Sequence, residues 1–344
     1  MSDIEIRIEG RAGRITLRRP QALNALSYDM AMAIETALDV WASDDAVSLL
    51  LLDAEGDKAF CAGGDVTDLY RRGVAGDLAY GRRFWRDEYR MNRKLFHFPK
   101  PVVALMQGYV MGGGVGIGCH GSHRVVCDST RMAMPECGIG LVPDVGGSLL
   151  LAQAPGRLGE YVGLTGYRMG PGDAIHTGFA DYHVPQGNWP GLIAELCKTG
   201  DVAAVDRAAG PVPEAPLAAR AGWIAQHFGG ERLGDVLRSL RAAEETETLD
   251  ILARQSPLSM ACTLEMIHRL QGPAATFERA QDMEYRFVYN AMEHGDFLEG
   301  VRAALIDKDR APKWRHGLDE VSSAQVSRML RPLGKDALTA EDGQ

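Results

Sequence analysis

Ile4, Ile6 and Ile8 alternate with charged residues, Glu9-Gly10-Arg11 offers a turn, and Ile15-Thr16-Leu17 resumes the strand pattern. A period of two on either side of a turn predicts a β-hairpin. Pro20 closes it. Residues 27–42 then adopt helical apolar spacing, with Ser27 placed to cap the first turn. Residues 47–52 form an unbroken apolar run, which predicts a strand buried on both faces. Residues 67–98 read as helical and are rich in arginine and aromatic residues. Residues 101–106 predict a second buried strand. The glycines at 112–114 open a helix expected to run to about His120, and short strands are expected at 124–127 and 131–134.

Strand and helix thus recur through the first half, which predicts an α/β core. After Gly156 the pattern turns helical, interrupted by loops at 170–173 and 185–191. Residues 209–216 (AGPVPEAP) have the composition of a linker. The expected organisation is therefore a core over residues 1–208 that carries the site, and a helical C-terminal region over 209–344 ending in the polar tail KDALTAEDGQ. No internal repeat is visible.

Composition narrows the function. Hydrophobic residues make up 46% and charged residues 24% of the 344, values of an ordinary globular protein. The formal net charge of −9 argues against general nucleic-acid binding, while a small anionic ligand needs only a local basic pocket. No apolar run reaches the about eighteen residues of a membrane span. Six scattered cysteines form no C-x-x-C pair, and the charged N-terminus MSDIEIRIEG has no apolar signal core. A reducing, cytoplasmic location is the expectation.

The chemistry concentrates in residues 108–148. A glycine cluster is followed by two carboxylates, Glu136 and Asp144, in an otherwise apolar, glycine-rich stretch. Bare glycines let a substrate approach backbone N–H groups. Carboxylates among apolar neighbours have shifted proton affinities and suit acid, base or nucleophilic work. Together they suggest an oxyanion site with an acid beside it.

Three segments in this order, KAFCAGGD at 58–65, GYVMGGG at 108–114 and MPECGIGLVPDVGG at 134–147, resemble the enoyl-CoA hydratase/isomerase (crotonase) superfamily. RPQALNAL at 19–26 is similar to the loop that wraps the CoA adenine in that superfamily. The likeness covers roughly residues 5–185. CAGGDV, MGGGVGIG and LVPDVGGS, with DFLEGVRAALIDKDRAPKW at 296–314, are similar to the branch that hydrolyses 3-hydroxyisobutyryl-CoA.

The resemblance implies a crotonase (ClpP-like) spiral of β-β-α units. It implies hydrolysis of a short 3-hydroxyacyl-CoA thioester, most naturally 3-hydroxyisobutyryl-CoA from valine breakdown. It assigns Gly64 and Gly113 as the two oxyanion amides and Glu136 as nucleophile or general base. Asp144 would bind the 3-hydroxyl or position water. Glu88, Ala22, Leu26 and Lys58 are implied as substrate-binding, with Arg71, Arg72 and Arg168 as further candidates for CoA phosphates. Gly116 stands where hydratases of the superfamily carry their first catalytic glutamate, so addition of water to a double bond loses a partner. No metal or redox cofactor is implied, since CoA belongs to the substrate, and a homo-oligomer is expected.

Rival readings remain. A hydratase or isomerase would need a replacement for the acid missing at 116, and a silent acyl-CoA binder would not need Glu136 and Asp144. Gly116-x-Gly118-x-x-Gly121 matches a dinucleotide fingerprint but lacks the strand that should directly precede it. Cys119, His120, His123 and Cys127 run from a helix end into a strand, which gives no shared tetrahedral face for a metal. Glu136 could also be a structural partner of an arginine such as Arg124.

Overall fold

The computed structural model describes residues 2–338. The last six residues of the polar tail lie outside this range.

Among the described residues, nine strands form two sheets. β1 (Ile4–Glu9) and β2 (Ala12–Leu17) make the expected antiparallel hairpin, with Ile4 opposite Leu17 and Glu9 opposite Ala12. β3 (Leu49–Ala54), β5 (Val102–Met106), β7 (His123–Val126) and β9 (Tyr182–His183) extend it in parallel, in the order β1-β2-β3-β5-β7-β9. A second, wholly parallel sheet holds β4 (Ala59–Cys61), β6 (Tyr109–Met111) and β8 (Arg131–Ala133).

The unbroken apolar runs are explained by two buried faces. Leu50, Leu52, Ala104 and Met106 point into the main core. The alternate residues Leu49, Leu51, Val103 and Leu105 point into a second cluster, capped by Trp189, Leu192 and Leu196 of the helix Trp189–Thr199. Each fully buried side chain of this size contributes about 1.5–3 kcal/mol. The main core includes residues from Ile15 to Leu330, so it draws on both sides of position 208. The proline-rich segment 209–215 is irregular and mostly exposed.

Each long strand feeds a short one: β3 leads to β4, β5 to β6 and β7 to β8. A helix or 3-10 turn follows each pair, which gives the spiral its repeat. The first three α-helices begin at side-chain caps. Ser27 Oγ accepts from the Met30 N–H, and Asp65 and Asp77 accept from Thr67 and Tyr80. The continuous helix expected over 67–98 is two helices, Val66–Val74 and Leu78–Phe96. Gly76 divides them at φ +83°, a conformation that suits glycine.

Candidate active site

The small sheet builds the site. From the C-terminal ends of its three parallel strands emerge the loop with Gly63 and Gly64, the glycine turn into the helix Gly113–Gly118, and the 3-10 turn Glu136–Ile139. Such strand ends are where ligands bind in open α/β sheets. A cavity of about 260 Å³ opens there, and Gly64, Gly113, Glu88, Glu136 and Asp144 all line it. Phe84, Trp85, Leu69 and Leu141 supply apolar wall, and the exposed Leu305 stands at its rim.

The two amides are adjacent. A Cβ added to Gly113 would come within 3.1 Å of Gly64 N and 3.2 Å of Glu88 Oε1. Gly113 is the first residue of its helix, where N–H groups have no intrahelical partner. No loop or turn hydrogen bond uses the Gly64 N–H. Gly112, at φ +48°, makes the turn, and any Cβ there would strike Glu136 Oε1 at 2.6 Å.

Three carboxyls face this point, all buried. Burial first, then the neighbouring Asp144, hold Glu136 well above the ordinary carboxylate range. Glu136 Oε2 has no hydrogen-bond partner. Glu88 is pushed up to about 8 by burial and by Asp144. Asp144 rises only to about 6, because burial is opposed by the hydrogen bond from the Tyr89 hydroxyl and by its own backbone amide. Tyr89 Oη donates to Asp144 Oδ2 at 2.7 Å.

Asp144 stands on an unusual turn. Val145, β-branched, is left-handed at φ +55°, and Gly146 follows at φ +83°. Such a conformation costs about 1–3 kcal/mol and persists only where its surroundings hold it. The buried His120 ring is paired with the Val145 carbonyl through Nε2 at 2.7 Å. Burial lowers this histidine to about 4, so the neutral ring donates. The turn also fills the space beside Gly116. A Cβ there would meet Val145 Cβ at 2.7 Å and Asn92 Nδ2 at 3.0 Å, and Asn92 Nδ2 donates to the Gly116 carbonyl.

Ala22, Leu26 and Lys58 stand outside the cavity wall. Leu26 is fully buried and braces the Gly63–Gly64 loop through its main chain: its N–H donates to Gly63 O, and Asp65 N donates back to Leu26 O. Ala22 is half-buried in the otherwise exposed 3-10 turn Pro20–Ala22. Lys58 is exposed at the start of β4. Of the other cations, Arg72 pairs with Asp77 and Arg168 lies over the Tyr109 ring. Arg71 is exposed. Arg124 pairs with Asp181 rather than with Glu136. Among the described residues, no cluster of His, Cys, Asp or Glu is arranged to hold a metal ion. All six cysteines are free and buried.

The model of the family described as enoyl-CoA hydratase/isomerase matches residues 12–330. The chain belongs to that family. The enoyl-CoA hydratase/isomerase fold recurs at a TM-score of 0.94 in an enoyl-CoA hydratase from Rhodobacter sphaeroides 2.4.1, which is 53% identical and aligns over 98% of this chain and 100% of its own. A carnitinyl-CoA dehydratase from Mycobacterium thermoresistibile is 40% identical at a TM-score of 0.92, with 99% of each chain covered. Among curated relatives, the mitochondrial 3-hydroxyisobutyryl-CoA hydrolase of Gallus gallus is 35% identical over 98% of this chain and 91% of its own length. The members of the enoyl-CoA hydratase/isomerase family similar to this chain thus carry the names of different reactions, and the residues around the cavity must separate them.

Sequence reading alone did not single out Tyr89, Asn92 or Glu284. Each is a buried polar residue on a helix, and each acts on the site through a hydrogen bond. The signal available was a polar residue at an apolar position of the helical repeat.

Proposed function

We propose that the protein hydrolyses a short 3-hydroxyacyl-CoA thioester, with 3-hydroxyisobutyryl-CoA as the leading substrate. The observation that carries this reading is the filled space at Gly116. Val145 and Asn92 occupy the place where a hydratase's first glutamate would stand, while Glu136, Asp144 and Glu88 gather around the two amides. The hydrolase from Gallus gallus supports the choice of substrate.

The thioester oxygen would lie against the Gly64 and Gly113 amides. Attack on its carbon places negative charge on that oxygen, and each preorganised donor lowers the barrier by about 3 kcal/mol. Glu136 works on the carbon by one of two routes. As nucleophile it forms an acyl–carboxylate anhydride, the C–S bond breaks, CoA thiolate leaves, and water then cleaves the anhydride. As general base it takes a proton from the attacking water instead. A 3-hydroxyl needs both an acceptor and a donor. Ionised Asp144 accepts from it, and Glu88, protonated at neutral pH, donates to it. No metal or redox group is needed, because CoA enters with the substrate.

Hydration of an enoyl-CoA is the second reading. Glu88 and Glu136 could serve as its two acids, and the Rhodobacter sphaeroides relative supports it. A homo-oligomer belongs to the reading on the superfamily likeness. A cytoplasmic setting is supported by the six unpaired cysteines, and cell fractionation tests it.

The test is release of free thiol from 3-hydroxyisobutyryl-CoA, run beside loss of crotonyl-CoA absorbance. Glu136→Gln should abolish thiol release while CoA esters still raise the melting temperature. Crotonyl-CoA turnover without thiol release from the hydroxyacyl ester would overturn the hydrolase reading in favour of the hydratase.

A further inference from the structure

The helix Phe277–His294 lies far along the chain from the site motifs, yet its buried face reaches them. Gln281 Nε2 donates to the Tyr89 carbonyl at 2.9 Å, and Arg93 Nε donates to Gln281 Oε1 at 3.1 Å. One turn further on, Glu284 spans the Asp144 turn. Its Oε2 accepts from Gly146 N at 2.8 Å, its Oε1 accepts from Ser148 N at 3.1 Å, and the Ser148 hydroxyl donates to Oε1 as well. Glu284 and Ser148 have no solvent exposure.

These contacts fall on a turn that Val145 and Gly146 hold in the left-handed region. A carboxyl group that accepts from two N–H groups two residues apart fixes the path of the chain between them. His120 holds the same turn from its carbonyl side, and Tyr89 holds the Asp144 carboxyl itself. We propose that Glu284 is a positioning residue: it clamps the 144–148 turn so that Asp144 faces the thioester, and the C-terminal helix is thereby part of the catalytic apparatus. The inference rests on Asp144 being a working group of the proposed hydrolase.

Gln at 284 is nearly the same size but offers one acceptor oxygen, so one of the two backbone donors would face an NH2 group. The experiment compares the parent with Glu284→Gln, Ser148→Ala, Asp144→Asn and the Asp144→Asn/Glu284→Gln double variant. It reads thiol release from 3-hydroxyisobutyryl-CoA and thermal melting. Glu284→Gln should lose at least about tenfold in kcat and raise KM as well, because a displaced Asp144 no longer meets the 3-hydroxyl in place. Ser148→Ala, which keeps both amide contacts, should lose about threefold in kcat. In the double variant Glu284→Gln should add less than about twofold to the loss from Asp144→Asn, since both act through one group.

A purely structural role predicts additive losses, and additivity would overturn the proposal. So would parental kcat in folded Glu284→Gln. Should that variant not fold, Ser148→Ala at parental kcat overturns the proposal, and a lowered kcat at parental melting temperature supports it. Asp144→Asn at the parental rate would sink the underlying role of Asp144. Slow Asp144→Asn beside parental Glu284→Gln would sink the clamp alone.

Discussion

The hydroxyl of Tyr89 donates to Asp144 Oδ2 at 2.7 Å inside the protein, where neither group meets bulk water. The bond favours the ionised carboxyl and holds Asp144 near 6 against a burial that would push it higher. Tyr89→Phe removes the donor and keeps the ring. The Asp144 value must then rise, and the acid limb of kcat should move to higher pH by about one unit. The loss of activity should be largest near pH 6 and small near pH 9. A pH profile of thiol release checks this, and an unmoved limb would refute the role given to the bond.

In the proposed reaction the thioester oxygen lies against the Gly113 amide. An added Cβ would lie 3.1 Å from Gly64 N and 3.2 Å from Glu88 Oε1, inside the cavity. Gly113→Ala keeps its N–H but crowds the approach to it, and should lower kcat by about a hundredfold, the scale of an oxyanion donor put out of reach. The melting temperature should fall little, since the methyl group projects into the cavity. Retention of more than half the parental kcat would mean that the oxygen is held elsewhere.

Position 116 offers a direct separation of the two reactions. Restoring the acid by Gly116→Glu forces a side chain against Val145 and Asn92. Overpacking of this kind destabilises by about 1–3 kcal/mol. The variant should melt lower, lose thiol release through the displaced Asp144 turn, and gain no turnover of crotonyl-CoA. A measurable hydration rate would show that the site is a hydratase lacking one group.

Glu88 makes stability depend on pH. Its folded value of about 8 lies above the ordinary 4.5, so between those limits the folded chain holds a proton that the unfolded chain has released. Stability from this group is complete below 4.5 and declines as pH climbs through 8, by at most about 1.4 kcal/mol per pH unit. Glu88→Gln cannot ionise. Its urea-unfolding free energy should fall less than that of the parent between pH 5 and pH 8, by at least about 1 kcal/mol. Parallel profiles would mean that Glu88 ionises as freely in the folded chain as in the unfolded one.

The long features of this molecule were legible because their patterns are long. β3 and β5 were visible as apolar runs, and the structure gives the reason: alternate residues enter two separate cores. β4, β6 and β9 have three, three and two residues, too few to show a period. The first two nevertheless deliver the Gly63–Gly64 loop and the glycine helix. Glu136 and Asp144 stood out as isolated acids in apolar sequence, the family resemblance supplied Gly64 and Gly113, and one cavity gathers all four. Glu284 was not found. It is 138 residues from its partner at 146, and although Ala280, Phe287 and Val288 at helical spacing mark its face as buried, nothing in the local sequence says what it contacts.

The cysteines bear on how this reaction can be watched. All six are buried and unpaired, and burial pushes Cys61, Cys119 and Cys137 up to about 12. A thiolate-seeking dye added to the folded protein should therefore stay nearly colourless. Colour that develops during turnover would come from liberated CoA, so the enzyme can be followed continuously and undiluted by its own background. The same blank, turning yellow on warming, would report the moment the core opens.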